Sequence, residues 1–134
     1  MLEYIPGGLL YDLCEKVGGL GEDGAHFFME QLTDVMSYLH QEVGVVHRDF
    51  KLENILLDDD LNTHIGDFGF ATFKKINKLQ SYRGTKVYMP PEIKEGKIYD
   101  GKKSDVFSLG VILYILVQGT FPFATAEKTD FYYK

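Results

Sequence analysis

The sequence predicts a mainly α-helical fold with short β-strands. Apolar side chains recur at helical spacing in residues 25–40, two short β-like runs occupy 55–57 and 63–65, and an apolar stretch covers 106–117. The chain has 134 residues, of which 45% are hydrophobic, so it can fill the core of one compact domain.

The first predicted helix runs from Ala25 to His40, after the Gly- and Asp-rich segment 21–24. Its apolar residues recur every three or four positions and therefore share one face. They are Phe28, Leu32, Val35, Met36 and Leu39. We expect this face and the neighbouring Phe27 to lie in the core. We expect His26, His40 and His64 to lie at the surface or on helix faces.

The two β-like runs, Ile55 to Leu57 and Thr63 to Ile65, flank residues 58–62, whose Asp and Asn content is typical of a solvated turn. From Asp67 to Glu92 the sequence loses its periodicity. A stretch of this length without regular structure in a compact domain is usually functional or disordered, and we favour function.

A second long helix is predicted for the apolar stretch from Val106 to Val117. Ser104 or Asp105 could cap its first turn, because a short oxygen-bearing side chain accepts hydrogen bonds from free backbone N–H groups. Gly119 is expected to end the helix. The stretch is shorter than the roughly 20 apolar residues that cross a bilayer, so we predict a buried helix.

The overall charge argues against two classes of partner. The formal net charge is −6, and nucleic acids and anionic membranes both attract clustered positive charge, so we expect neither.

Cys14 is the only cysteine and cannot close an internal disulfide, which favours an intracellular and specifically a cytoplasmic location. No basic segment followed by an apolar run opens the chain, so we expect no signal peptide.

Polar and charged side chains cluster in residues 47–54, between two apolar stretches. Such a cluster is costly in a structural core and therefore indicates a site. Further on, Asp67 lies between glycines directly after a predicted strand. Phosphoryl transfer needs a carboxylate to orient the attacking hydroxyl, oxygen ligands for magnesium and a cation near the transferred phosphate. These groups could come from Asp49, Lys51, Asn54 and Asp67.

These segments resemble the protein kinase family. Residues 47–54 are similar to its catalytic loop, 67–69 to its magnesium-binding motif, 89–92 to the end of its activation loop and 105–110 to its central buried helix. The resemblance implies a partial protein kinase domain over residues 1–134, from the hinge to the start of the helix after the central one. This corresponds to the large C-terminal lobe, and we expect the small lobe to be absent.

The resemblance assigns roles within the catalytic loop. It implies that Asp49 is the catalytic base and that Lys51 neutralises the γ-phosphate of ATP, while Asn54 and Asp67 bind Mg²⁺. Lysine at position 51 is typical of Ser/Thr kinases, and Thr85 is expected to bond both Asp49 and Lys51. The substrate platform is expected to include Glu53 and Thr85.

The resemblance also predicts contacts around the nucleotide and beneath the magnesium motif. The backbones of Glu3 and Ile5 would bond the adenine base, and Leu56 would form the floor under it. His47 is expected to be a packing and hydrogen-bonding residue beneath Phe68 rather than a catalytic one.

Regulation is implied by two residues. In the family, the arginine equivalent to Arg48 meets a phosphorylated residue that corresponds to Ser81, so an upstream activating kinase would modify Ser81. A phosphoserine carries about −1.5 to −2 charges and could bond Arg48 through two oxygens. Two alternatives stay open: Tyr82 or Thr72 is the modified residue, or the loop is ordered without phosphate.

The sequence departs from the family pattern at Leu9, where many members have a glutamate that contacts ribose or a substrate arginine. Asp12 or Glu53 could take over part of that role. Further departures supply no reacting group and lie at Leu52, Pro90 and Phe107.

Three functions compete. The first is a Ser/Thr protein kinase that uses ATP and Mg²⁺ and acts on protein substrates. The second is a non-catalytic, kinase-like interaction module, which would follow if Met1 is the true start of the chain. The third, a small-molecule kinase, is disfavoured because residues 84–92 resemble a platform for peptide substrates. Within the family, residues 4–8 and 99–106 are most similar to the calcium/calmodulin-dependent and AMP-activated kinase group.

Overall fold

The computed structural model describes residues 4–73 and 76–133 and is mainly α-helical. Its helices are α1 (Leu10–Val17), α2 (Gly21–Tyr38), α3 (Pro91–Lys94) and α4 (Gly101–Gln118), and its two strands are β1 (Ile55–Leu57) and β2 (Thr63–Ile65). Short π-helical or 3-10 turns lie at Leu39–Val43, Leu52–Asn54, Phe68–Phe70 and Lys86–Tyr88. The predicted fold class is confirmed.

Helix α2 forms one wall of the core. It begins earlier than predicted, because Glu22 and Asp23 in its first turn interact favourably with the helix N-terminus. The predicted apolar face is confirmed, since Phe28 and Leu32 are buried. Phe27, in contrast, is 45% exposed, so its expected place in the core was wrong. Successive side chains of an α-helix point about 100° apart, and only one of two neighbours can face the core directly.

The π-helical turn after α2 buries a histidine. His40 is 7% exposed, so the expectation of a surface or helix-face position was wrong. Its Nε2 lies 2.8 Å from Oδ2 of Asp105 on α4. A buried polar side chain needs such a partner, and local periodicity does not reveal one that lies far away in the sequence. His26 is exposed as predicted, and His64 is half-buried.

Strands β1 and β2 have the predicted bounds. They pair in antiparallel register, with Ile55 opposite Ile65. The turn between them is held by Asp58, whose carboxylate accepts hydrogen bonds from the backbone N–H groups of Asp60 and Asn62, each at 2.9 Å. This hairpin directs the chain that follows β2 back alongside residues 52–54.

Helix α4 packs against α2 and carries much of the core. Its cap is Asp100, whose carboxylate accepts a backbone hydrogen bond from the first turn at 2.9 Å. The predicted cap was therefore wrong, because Ser104 and Asp105 lie inside the helix and are buried. Gly119, with φ of 72°, ends the helix as predicted. Within the described ranges, no helix is both long and apolar enough to cross a membrane.

The segment from Asp67 to Glu92 has little regular structure, as predicted, and two backbone pairings fasten it. Val46 N donates to Thr72 O at 2.9 Å. Leu79 and Tyr99 exchange backbone hydrogen bonds of 2.9 and 2.8 Å. These hydrogen bonds attach the segment to the rest of the fold at residue 72 and at residue 79.

Candidate active site

The polar cluster at residues 47–54 is held in place by hydrogen bonds to Asp105 of α4. This carboxylate is 1% exposed, and it accepts hydrogen bonds from the backbone N–H groups of His47 and Arg48, both at 2.8 Å. Arg48 has φ of 67°, a left-handed conformation that is uncommon outside glycine. The buried carboxylate holds this strained turn in place, and the turn sets the position of Asp49. The only local signal was an acidic residue next to an apolar helix, which we interpreted as a cap.

Three residues of the site contact one another through their side chains, and we call them the contact set: Asp49, Lys51 and Thr85. Lys51 Nζ lies 2.9 Å from Asp49 Oδ2 and donates to Thr85 Oγ1 at 2.9 Å. The Thr85 hydroxyl and backbone N–H both donate to Asp49 Oδ1 at 2.8 Å. The contacts that the family resemblance implied for Thr85 are therefore present.

A glycine makes this approach of Thr85 to Asp49 feasible. Gly84 has φ of 116°, and a Cβ atom added there would come within 2.6 Å of the Arg48 carbonyl oxygen. Any other residue type would force the two segments apart, because the carbonyl oxygen that the Cβ would meet belongs to the backbone and cannot rotate away.

The charge state of Asp49 follows from its surroundings. Burial alone would raise the pKa of this carboxyl, which is 5% exposed. Hydrogen bonds from Lys51 and Thr85, together with the Lys51 charge, outweigh burial and hold the pKa below its ordinary value. Asp49 is therefore ionised at neutral pH and can accept a further hydrogen bond.

The hairpin brings Asn54 and Asp67 to the same place. Because Ile55 pairs with Ile65, Asn54 lies opposite Gly66, whose N–H donates to the Asn54 carbonyl at 2.8 Å. The Asn54 Nδ2 atom donates to the Asp49 carbonyl at 3.0 Å. Its amide oxygen is therefore left as a potential ligand atom. Asp67, the next residue after Gly66, is exposed and has φ of 53°.

This donor set fits magnesium. Mg²⁺ prefers oxygen ligands and is commonly held by one or two protein side chains, with phosphates and water completing its shell. An amide oxygen from Asn54 and a carboxylate from Asp67 match that requirement. In the part of the chain that the structure describes, no group of three or more His, Cys, Asp or Glu side chains could hold a metal ion.

The expectation for His47 is confirmed. Its side chain is fully buried, its ring packs edge-on against Phe68 with centroids 4.8 Å apart, and its Nε2 lies 3.1 Å from the Gly66 carbonyl oxygen. It supports the turn that carries Asp67, and its Nδ1 accepts a long hydrogen bond of 3.4 Å from the Asp49 backbone N–H.

The residues expected around the nucleotide are only partly described. Leu56 is half-buried on β1 and pairs through a backbone bridge with Leu9. Gly7 and Gly8 exchange hydrogen bonds of 2.8 Å with Leu57. These contacts lay residues 7–9 along β1, and Ile5, which precedes them in the chain, is half-buried. Glu3 lies outside the described residues.

Glu53 faces the segment that follows Thr85. Its Oε2 accepts a hydrogen bond from the Tyr88 hydroxyl at 3.0 Å. Tyr88 is 1% exposed, and its pKa is strongly raised by burial and by the Glu53 charge. This hydrogen bond therefore links the catalytic loop to residues 86–88.

The structure brings Arg48 and Ser81 together. Arg48 Nη1 donates to the Ser81 hydroxyl at 2.9 Å, and its Nε donates to the Phe70 carbonyl. Ser81 is exposed. Tyr82 is also exposed, at 53%, whereas the Thr72 backbone is paired with Val46.

The fold and the arrangement of the site match the protein kinase class. The sequence profile described as "Protein kinase domain" matches residues 1–134, and the chain belongs to this family. It is 47% identical over 124 residues to NUAK family SNF1-like kinase 2 of Rattus norvegicus, covering 92% of this chain and 20% of that protein.

Two further relatives give the same result. CBL-interacting protein kinase 11 of Oryza sativa subsp. japonica is 41% identical over 138 residues, which covers 100% of this chain and 27% of that protein. NUAK family SNF1-like kinase 1 of Homo sapiens is 44% identical over 124 residues, with coverages of 92% and 19%. The chain thus spans between about a fifth and a quarter of the length of the curated relatives that it matches.

Proposed function

We propose that the whole protein is a Ser/Thr protein kinase, which transfers the γ-phosphate of ATP to hydroxyl groups of protein substrates. The observation that carries the proposal is the contact set of Asp49, Lys51 and Thr85. It places an ionised carboxylate, a cation and a hydroxyl within 2.9 Å of one another. A module that only binds partners would not need a carboxylate poised in this way.

The contact set supports a direct transfer. The substrate hydroxyl oxygen attacks the γ-phosphorus as the bond to the β-phosphate oxygen breaks, and ADP leaves. Asp49 orients the hydroxyl and accepts its proton. Lys51 offsets the negative charge of the transferred group. Thr85 holds Asp49 and Lys51 in register, so neither side chain has to reorganise during the reaction.

The choice of Ser or Thr as acceptor rests on Lys51 and Thr85. Their 2.9 Å contact occupies the space beside Asp49, and lysine at this position resembles Ser/Thr kinases. Two of the matched relatives are named SNF1-like kinases and one is named a protein kinase. Protein substrates are therefore the class that we propose.

ATP and Mg²⁺ are the proposed cofactors. Bound Mg²⁺ would neutralise phosphate charge, and Asn54 and Asp67 are the residues that would hold it. The backbone of Ile5 and the side chain of Leu56 would contact adenine. Their half-buried positions support a site that is completed by a bound base.

Activation by an upstream kinase is the proposed regulation. Ser81 is exposed and already accepts a hydrogen bond from Arg48. In the present contact only Arg48 is charged, whereas a phosphate at Ser81 would form an ion pair with it. Arg48 immediately precedes Asp49, so this ion pair could act on the catalytic loop.

The experiment is a transfer assay with the whole protein, radiolabelled ATP, Mg²⁺ and peptides that contain Ser, Thr or Tyr as the sole hydroxyl residue. We expect label on Ser and Thr peptides, and its loss when the metal is chelated. Label on Tyr peptides alone, or no label on any peptide after treatment with a cell lysate, would contradict the proposal.

A further inference from the structure

Ser81 is held at both its side chain and its backbone. Its hydroxyl accepts a hydrogen bond from Arg48 Nη1 at 2.9 Å, and its backbone carbonyl accepts one from the Tyr99 hydroxyl at 3.1 Å. Ser81 itself is exposed, so two specific contacts, rather than burial, fix its position. Tyr99 lies between α3 and α4 and is not a member of the contact set.

The side chain that holds the Ser81 carbonyl is itself firmly fixed. Tyr99 is 3% exposed and packs in a small apolar cluster with Met89, Ile93 and Leu79. Its backbone exchanges hydrogen bonds of 2.9 and 2.8 Å with Leu79. The Tyr99 hydroxyl is therefore a rigid donor, and its acceptor lies two residues beyond the backbone pairing.

The start of α4 holds the same segment a few residues earlier. The backbone N–H of Gly101 donates to the Ile76 carbonyl at 2.6 Å. A Cβ atom at Gly101 would lie only 2.8 Å from the Val46 side chain and 2.9 Å from that of Leu79. The glycine thus lets the segment lie directly on α4. Contacts at residues 76, 79 and 81 together fix the register of the segment against residues 99–101.

Arg48 is also fixed on its own side of the contact. Its Nε donates to the Phe70 carbonyl, and its backbone N–H donates to the buried Asp105 carboxylate at 2.8 Å. Because both its backbone and its side chain are held, the guanidinium group has little freedom to follow a displaced partner. The register of the segment therefore decides which residue meets Arg48.

The neighbouring Tyr82 is the competing residue, and its side chain is 53% exposed. The Ser81 carbonyl belongs to the peptide bond that joins Ser81 to Tyr82. Since a peptide group is planar, the hydrogen bond from Tyr99 fixes the orientation of this whole unit. A rotation of the plane would displace the side chains on both sides of it.

We propose that Tyr99 is a positioning residue for activation. Its hydroxyl holds the register in which the side chain of residue 81, rather than that of residue 82, meets Arg48. A phosphate on Ser81 then pairs with Arg48 from a position that is already prepared. The inference rests on the proposed function, because its effect on turnover passes through Arg48 to the adjacent Asp49.

The test uses the whole protein with phosphoserine genetically encoded at position 81, so no upstream kinase is needed. Phosphorus NMR follows the second ionisation of the phosphate, whose ordinary pKa is about 6. The Arg48 cation favours the doubly charged form, so we expect this pKa to lie about half a unit or more below that value. The variant Tyr99→Phe keeps the buried ring and the backbone pairing but loses the donor. It should return at least half of the shift.

Two further variants calibrate the phosphate titration. Arg48→Ala removes the cation and should return the whole shift. Tyr38→Phe is the matched control, because it removes the hydroxyl of a tyrosine on α2 that is 60% exposed. The phosphate pKa of Tyr38→Phe should equal that of the parent protein.

Turnover of a Ser peptide distinguishes positioning from a general structural role. In the protein with phosphoserine at position 81, Tyr99→Phe should reduce turnover about fivefold, the scale of one hydrogen bond. In the Ser81→Ala protein, which has no phosphate to position, the same substitution should leave turnover unchanged. A residue that only stabilised the fold would have the same effect in both proteins.

The outcomes separate the two proposals. A parental phosphate pKa of about 6, or a lowered pKa that Tyr99→Phe or Arg48→Ala leaves unchanged, overturns the role of Tyr99 but not the kinase activity. Equal loss of turnover with and without phosphoserine also overturns that role. The expected pKa pattern in a protein that transfers no phosphate supports the role of Tyr99 and overturns the proposed function.

Discussion

The backbone N–H of Arg48 donates a hydrogen bond to the Asp105 carboxylate at 2.8 Å. The same buried carboxylate holds His47 and His40, so one side chain of α4 connects the helix to the catalytic loop and to the end of α2. The loop that carries Asp49 therefore depends on a group far from it in the sequence.

The variant Asp105→Asn is expected to destabilise the fold. The amide would present an N–H group where an oxygen now accepts, and a buried donor would be left unsatisfied. We expect the free energy of unfolding to fall by at least about 2 kcal/mol, measured by urea denaturation. The control Asp100→Asn alters the cap of the same helix, where asparagine caps about as well as aspartate. Equal losses in both variants would contradict this role of Asp105.

The variant Gly84→Ala tests the close approach of two loops. Its methyl group would meet the Arg48 carbonyl at 2.6 Å, and φ of 116° disfavours alanine. We expect a loss of more than about 1 kcal/mol in unfolding free energy. Gly110→Ala on α4 is the matched control, because a Cβ there meets nothing within 4 Å and should stabilise the helix by roughly 0.5–1 kcal/mol. A change of unfolding free energy with the same sign in both variants would contradict the close approach inferred at Gly84.

The titration of Asp49 tests the electrostatics of the contact set. Its pKa is depressed in the folded state, so its contribution to stability is present above the ordinary value of 3.8 and is lost as the pH falls through the folded-state pKa. In Lys51→Met, burial persists while a hydrogen bond and a charge disappear. The pKa should therefore rise, as followed by NMR titration of the carboxyl carbon.

The control for this titration is Lys16→Met, which removes an exposed lysine from α1. It should leave the pKa of Asp49 where it is in the parent protein. An unchanged pKa in Lys51→Met would show that the Lys51 charge does not hold Asp49 ionised.

The pairing of Arg48 with Ser81 predicts a coupled effect on activation. After treatment with an upstream kinase or cell lysate, Ser81→Ala and Arg48→Ala should each reduce activity about tenfold or more, and the double variant should lose little further activity. Ser37→Ala, at an exposed serine of α2, is the control. Full activation of Ser81→Ala would instead favour the open alternatives, namely modification of Tyr82 or Thr72, or a loop that is ordered without phosphate.

Local sequence was sufficient to predict the elements that are formed by contacts between residues close together in the chain. The strands Ile55–Leu57 and Thr63–Ile65 were predicted with their observed bounds, because turn residues separate two short apolar runs. The apolar face of α2 was likewise visible as helical periodicity. The grouping of Asp49, Lys51 and Asn54 followed from their closeness in the chain.

Long-range contacts were beyond local sequence. Asp105 was interpreted as a cap and His40 as a surface residue, yet they form a buried pair with atoms 2.8 Å apart. Neither the residue type nor the helical spacing specifies which distant group satisfies a buried charge. A cavity lined by Tyr11, Cys14, Leu52 and Ile115 could not be predicted from local sequence either, since its walls come from α1, the catalytic loop and the end of α4.

The most direct test of the account is the rate of phosphate transfer to a Ser peptide by the Asp49→Asn variant of the whole protein. Asparagine keeps the shape but cannot take the proton, so we expect the rate to fall by about 10²–10⁴-fold, while ATP binding persists. Asp34→Asn, at an exposed carboxylate of α2, should retain the parental rate. Transfer by Asp49→Asn at the parental rate would contradict the role proposed for the contact set of Asp49, Lys51 and Thr85.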